Sequence, residues 1–238
     1  LSANRNSLQL FDMLHSMRQF DDLTYVHSVN VALIASILGQ WLKFSEKDIR
    51  ILTISGLLHD IGKIMIPNEI LTKPGKLTVA EYNIMKQHVN FGYEKVKNQN
   101  IDIRIKEACL LHHEKCDGTG YPFGLKSDQI PAVAKIIAIA DVYDAMTSAR
   151  VYRGALCPFE VIDTMYKDAF TKFEPEYILP FLKNVASSYI NNDVRLSDGR
   201  IGKVVLINEN ALSLPIVQCE DEFIDLSKTR GLTVSAIL

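Results

Sequence analysis

The sequence predicts a mainly α fold, a helical bundle followed by a small C-terminal β appendage. Up to about residue 192, apolar residues recur at helical spacing behind capping signals. Beyond that point the runs are short and bounded by turn residues. The 238 residues, 47% of them hydrophobic, suffice to bury a core without disulfides or structural metal. The expected organisation is a helical domain over residues 1–192 and a small β-strand subdomain over 193–238.

Asp21 or Asp22 caps a first helix, whose apolar face is expected to carry Val26, Val29, Leu33, Ile34 and Ile37. Ser45-x-x-Asp48 resembles a capping box and opens a second helix, to about Leu58. Thr78-x-x-Glu81 opens a third, expected to run through about Val96. A fourth spans roughly Ile103 to His113. Pro131 suits the first turn of a fifth, through about Ser148, and Pro158 and Pro175 are placed to start two more. Between the fourth and fifth lies a loop, Cys116 to Gly124, in which Gly118, Gly120, Pro122 and Gly124 exclude regular helix. In the appendage, Arg200–Ile207, Pro215–Gln218 and Asp221–Leu226 read as strands, with Ser197-Asp198-Gly199 as a hairpin turn. The acidic run Glu220, Asp221 and Glu222 reads as a solvated turn.

A net charge of -2 leaves no general polyanion-binding surface, so duplex nucleic acid is not an expected partner. A small anionic ligand can still meet a local cluster of cations. The four cysteines, 109, 116, 157 and 219, form no CxxC pair, which suggests reduced thiols and a cytoplasmic setting. The longest near-apolar stretch, Val31 to Gly39, is too short to span a bilayer, so no membrane contact is expected within this chain. The chain opens on Leu1 and without a signal-peptide layout, and it is expected to be a piece of a longer protein.

Ligand-type residues punctuate successive predicted helices. His59-Asp60 and His112-His113-Glu114 fall at helix ends, and Asp141 and Asp144 share a face of the fifth helix. Imidazoles and carboxylates together suit a pair of divalent metals. Two such ions about 3.5–4 Å apart share a bridging hydroxide and clamp both oxygens of an in-line phosphoryl displacement. Asp60, beside a histidine at a helix end, is the expected bridging ligand. His15 stays outside this set, since only Asp12 accompanies it.

Three strings then become specific: His59-Asp60-Ile61-Gly62-Lys63, the run from His112 to Pro122 (HHEKCDGTGYP), and the run from Ile139 to Ser148 (IADVYDAMTS). Over about residues 20–190 the chain resembles the HD-GYP branch of the HD-domain metal phosphohydrolases. The resemblance implies metal ligation by His27, His59, Asp60, His88, His112, His113 and Asp141, with Lys63 and Asp144 acting beside the metals. It places Arg150 and Arg153, together with Lys63, on substrate phosphates, and Tyr121 of the Gly-Tyr-Pro loop against a guanine base. It implies hydrolysis of cyclic di-GMP to linear pGpG, with GMP as a slow second stage, and contact of the Gly-Tyr-Pro loop with diguanylate cyclases. Some members ligate a third metal through a glutamate four residues before the first ligand histidine. Leu23 stands there, so two ions are expected, iron or manganese. Two alternatives remain open: another substrate such as 3′,3′-cyclic GMP-AMP, or a module that binds the dinucleotide without cleaving it.

Overall fold

The computed structural model describes residues 13–19, 21–148 and 156–238. Arg150 and Arg153 lie outside the described residues. The chain forms two compact units, residues 1–145 with 171–174, and residues 146–170 with 175–238. The first unit is helical: α1 (Asp22–Trp41), α2 (Glu46–Leu58), α3 (Asn68–Leu71), α4 (Val79–Met85), α5 (His88–Val96), α6 (Ile103–Leu111) and α7 (Ala132–Thr147), the last ending just inside the second.

Asp21 caps α1, its carboxylate accepting from the backbone N–H groups of Leu23 and Thr24. The buried face of α1 differs from the one expected. Val26 and Leu33 are 53% and 60% exposed, while Ser28, Val31, Ala32, Ala35 and Leu38 are buried. The reason is a close crossing with α2. A Cβ added at Gly56 would lie 2.5 Å from the Ala32 Cα, so the two backbones meet through small residues. By length and composition, α1 is also the one helix among the described residues apolar enough to cross a membrane, at mean hydropathy 1.2. The Val31–Gly39 stretch alone does not reveal this.

Ser45 caps α2 by accepting from the Asp48 N–H, and Arg104 at the start of α6 reaches back to Asp48 at 2.7 Å. Beyond α2 the chain tightens into a 3-10 turn, Ile61–Met65. Thr78 and Glu81 form the full capping box of α4. The predicted helix from there through Val96 is broken: α4 stops at Met85 and α5 starts at His88. The Met85 carbonyl accepts from the His88 ring instead, with Nδ1 at 2.8 Å. A side chain thus takes over an acceptor that a continuous helix would use internally.

The second unit holds α8 (Pro158–Asp168), α9 (Pro175–Ser188) and an antiparallel five-stranded sheet, β1 (Asp193–Leu196), β2 (Ile201–Leu206), β3 (Ile216–Cys219), β4 (Glu222–Asp225) and β5 (Val234–Ile237), in the order β4-β3-β2-β1-β5. β2, β3 and β4 fall in the three runs read as strands. β1 lies outside the runs read as strands and β5 was not foreseen; the two pair through Val194↔Ile237 and Arg195↔Ala236. Val194, Val204, Val217, Ile224 and Val234 are buried along the sheet. Because α8 and α9 group with these strands, residue 192 falls inside the second unit.

Candidate metal centre

Four segments of the first unit bring the expected ligands together. His27 comes from α1, His59 and Asp60 from the end of α2, His88 from the start of α5, and His112 and His113 from the end of α6. Two ligand groups result, one of Asp60, His88, His112 and His113, the other of His27, His59 and Asp60. Asp60 is common to both. Its Oδ2 lies 3.2 Å from His59 Nε2 and 3.7 Å from His27 Nε2, and its Oδ1 lies 3.3 Å from His88 Nε2. Asp141, on α7, reaches one member of each group, with Oδ1 3.0 Å from His27 Nε2 and Oδ2 3.8 Å from His113 Nδ1. His15 is apart and exposed, next to Gln19 at 2.9 Å.

Three of the imidazoles are fixed by backbone carbonyls. Nδ1 of His59, His88 and His112 faces the oxygens of Gly56, Met85 and Ala108 at 2.8, 2.8 and 2.9 Å. A carbonyl only accepts, so each Nδ1 carries the proton and donates it. On each of these rings Nε2 is then the nitrogen left facing the Asp60 side. Burial pushes the His88 and His112 imidazoles below their ordinary range, which keeps them neutral. Their Nε2 atoms nevertheless lie 3.3 Å apart, lone pair against lone pair. His59 Nε2 and Asp60 Oδ1 are buried without a hydrogen-bond partner. Converging lone pairs, orphaned buried acceptors and a carboxylate between them are what a bound cation satisfies. The donor set of imidazole and carboxylate fits a divalent ion.

The acids are held ionised. Burial raises the Asp60 carboxyl, but the Lys63 ammonium beside it outweighs this and holds it well below the usual carboxylate range. Lys63 Nζ sits 2.5 Å from Asp60 Oδ2. Burial likewise opposes the lowering of Asp141, and the His27 hydrogen bond and the nearby imidazoles overcome it.

Asp144 lies one turn beyond Asp141. Its Oδ2 takes the His27 Nδ1 at 2.6 Å, and its Oδ1 accepts from the Asn30 amide at 2.9 Å. The resemblance has Asp144 acting beside the metals; these contacts place it behind His27. Asn30 was missed, although it stands three residues after His27 on the same helix face. Glu114 was noted only as a ligand-type residue. It is buried, and its two oxygens accept from the Phe123 and Leu125 N–H groups at 2.7 and 2.9 Å. It thereby clamps the Gly-rich loop. That loop lays the Tyr121 ring on His113, centroids 4.7 Å apart and 27° between planes.

A helical bundle that closes histidines and aspartates around a buried His-Asp pair defines a known class of proteins. The chain belongs to the HD-domain family: a sequence profile described as HD domain matches residues 9–177. Its motif strings are those of the HD-GYP branch. It is 37% identical over 203 residues to a cyclic di-GMP phosphodiesterase of Pseudomonas aeruginosa, covering 85% of this chain and 49% of that protein. It is 36% identical to 3′3′-cGAMP-specific phosphodiesterase 2 of Vibrio cholerae, covering 65% of this chain and 30% of that one. Its fold is similar to the HD domain of phosphodiesterase PgpH of Listeria monocytogenes solved with cyclic di-AMP, at TM-score 0.58 and 18% identity, covering 74% and 95% of the two chains. The chain spans about half the length, or less, of the curated relatives it matches.

Proposed function

We propose that this chain is a metal-dependent phosphodiesterase that opens a cyclic dinucleotide, cyclic di-GMP first, to linear pGpG, with GMP as a slow second product. The observation that carries this is the convergence of carbonyl-fixed Nε2 atoms on Asp60, with the His88 and His112 nitrogens 3.3 Å apart. His27, His59, His88, His112, His113, Asp60 and Asp141 would hold two ions, with Asp60 shared. Leu23, one turn before His27, is a hydrocarbon chain 62% exposed and supplies no ligand for a third. A donor set of imidazole and carboxylate without thiolate favours iron or manganese. Cys109 does not compete: burial pushes its thiol up to about 12, and it donates to the Leu58 carbonyl.

Bound divalent ions supply Lewis acidity to the phosphodiester and lower the pKa of water. Lys63, in the 3-10 turn beside Asp60, offsets charge growing on the phosphate or protonates the leaving 3′ oxygen. Asp144 holds the His27 proton on Nδ1 and so aims its Nε2 inward. Tyr121 stays a neutral phenol, since burial pushes it up, and offers a ring for a guanine base. Arg150 and Arg153 are assigned to the substrate phosphates from the sequence. The Gly-Tyr-Pro loop, with Phe123 63% exposed at its tip, is assigned as the contact for a diguanylate cyclase, and the setting as the cytoplasm.

A second substrate, 3′,3′-cyclic GMP-AMP, is favoured by the likeness to the Vibrio cholerae enzymes named for it. The test is to purify the protein without chelator, supply Fe(II) or Mn(II), offer both dinucleotides and follow products by chromatography. We expect pGpG from cyclic di-GMP, and none from Asp60→Ala. Tight binding of the intact dinucleotide without turnover under either metal would replace the enzyme reading with that of a binding module.

A further inference from the structure

Lys86 lies in the break between α4 and α5, two positions before His88. Its Nζ is 5.3 Å from the centroid of the Tyr82 ring and 6.0 Å from that of Tyr121. Tyr121 is the ring that stacks on His113, and His88 approaches the same ring at 6.5 Å. In one continuous helix, residues 86 and 88 would point about 200° apart. The break that aims His88 into the centre also brings Lys86 to the edge of it.

Its surroundings set Lys86 apart from four other part-buried lysines of this unit. Lys63 is paired with Asp60, Lys73 with Glu81 and Lys135 with Glu174, and Lys106 donates to the Lys97 carbonyl. Among the described residues Lys86 has no carboxylate partner and no side-chain hydrogen bond; it meets two aromatic rings. A half-buried ammonium beside two rings, with no anion to neutralise it, is receptive to a ligand that is both anionic and flat.

We propose that Lys86, Tyr82 and Tyr121 form the subsite for the unreacting half of the substrate. Lys86 pairs the phosphodiester remote from the metals, and the tyrosine rings meet the purine beside it. This rests on the phosphodiesterase reading above. A cyclic dinucleotide carries two phosphodiesters, and only one occupies the metal centre in a given turnover. The other needs a cation that the metal cluster does not supply. Lys86 is therefore a binding residue that holds the ring in place while the opposite bond breaks, and its contribution appears in KM more than in kcat.

The test uses Lys86→Ala and Lys86→Arg in the Mn(II)-loaded protein. Two substrates are compared, cyclic di-GMP and bis(p-nitrophenyl) phosphate, which has a single phosphodiester and no second nucleotide. For Lys86→Ala we expect KM for cyclic di-GMP to rise about tenfold, with kcat changed by less than about twofold, as for loss of one charge-assisted contact. The fall in kcat/KM should be about tenfold larger on cyclic di-GMP than on the small diester. Lys86→Arg should recover most of it. Equal losses on both substrates, or an unchanged KM for cyclic di-GMP, would overturn the assignment. The Kd for the intact dinucleotide, from calorimetry, reads the same contact without turnover. A chain that cleaves neither substrate defeats the phosphodiesterase reading, while a Kd weakened about tenfold in Lys86→Ala still supports the subsite and an unchanged Kd rejects it.

Discussion

At His27 a proton would compete with the proposed metal ion for one nitrogen. Burial pushes this imidazole down, but hydrogen bonds to Asp141 and Asp144 outweigh it and carry it up to about 9. In the metal-free chain the ring is therefore an imidazolium across neutral pH. Its pairing with the carboxylates stabilises the fold fully below about 6.5, and that stabilisation is lost as pH rises through about 9. Asp144 keeps the Nδ1 proton in either state, so metal uptake must expel the one on Nε2. The buried rings of His88, His112 and His113 are pushed down and release none. Mn(II) affinity should then rise about tenfold per pH unit between 7 and 8, with one proton released per chain, measured by titration in buffers of different ionisation enthalpy. A flat affinity across that range would contradict it. The clustering of these histidines and aspartates was legible because the chemistry of a metal site calls for their types at fixed spacing. Asn30 and Glu114 were not. Asn30 acts on a residue 114 positions away, and the carboxylate of Glu114 serves backbone amides rather than a metal.

Capping chemistry wrote the helix starts plainly: Asp21, Ser45 and Thr78 all cap as read. Two features of the helices were hidden. The α4–α5 break leaves no breaker residue in the sequence, because its cause is the His88 ring taking the Met85 carbonyl. The buried face of α1 was misread because large apolar residues were taken as the packing set, whereas a close crossing selects Ser28, Ala32 and Ala35. A second close approach, at Gly62, links backbone packing to the metal centre. A Cβ there would lie 1.9 Å from the His88 carbonyl oxygen and 2.4 Å from the Gly92 nitrogen. Backbone cannot rotate away as a side chain can, so Gly62→Ala must shift α5 and with it His88. Overpacking of this kind costs about 1–3 kcal/mol, which at ~2–4 °C per kcal/mol lowers Tm by several degrees. Metal bound per chain should fall as well, although the residue changed offers no ligand atom. Full metal content in Gly62→Ala would show that α5 tolerates the shift.

At the scale of the whole chain, the helical class and the presence of a C-terminal sheet were legible. Strands β1 and β5 and the grouping of α8 and α9 with the sheet were not, because β1 and β5 are four-residue strands that pair with each other across 41 residues in the register Arg195↔Ala236. The candidate metal centre lies wholly within the first unit, and this shapes its thermodynamics. His59, Asp60, His88 and His112 are each 1% exposed or less, so folding strips water from all of them at once. In the absence of a cation the folded chain leaves His59 Nε2 and Asp60 Oδ1 unsatisfied, and each buried orphan costs on the order of 1–3 kcal/mol. An ion that binds only the assembled cluster stabilises the fold by mass action, by about 2.7 kcal/mol when free metal stands a hundredfold above Kd. For a chain of this length that amounts to a rise in Tm of about 5–10 °C. Scanning calorimetry with Mn(II) and then with chelator should give that difference. Asp60→Ala, which removes the residue common to both ligand groups, should abolish most of it. If the two units melt in separate steps, only the transition of the unit holding the cluster should move with metal. A shift of equal size in Asp60→Ala would mean that the stabilising ion binds elsewhere.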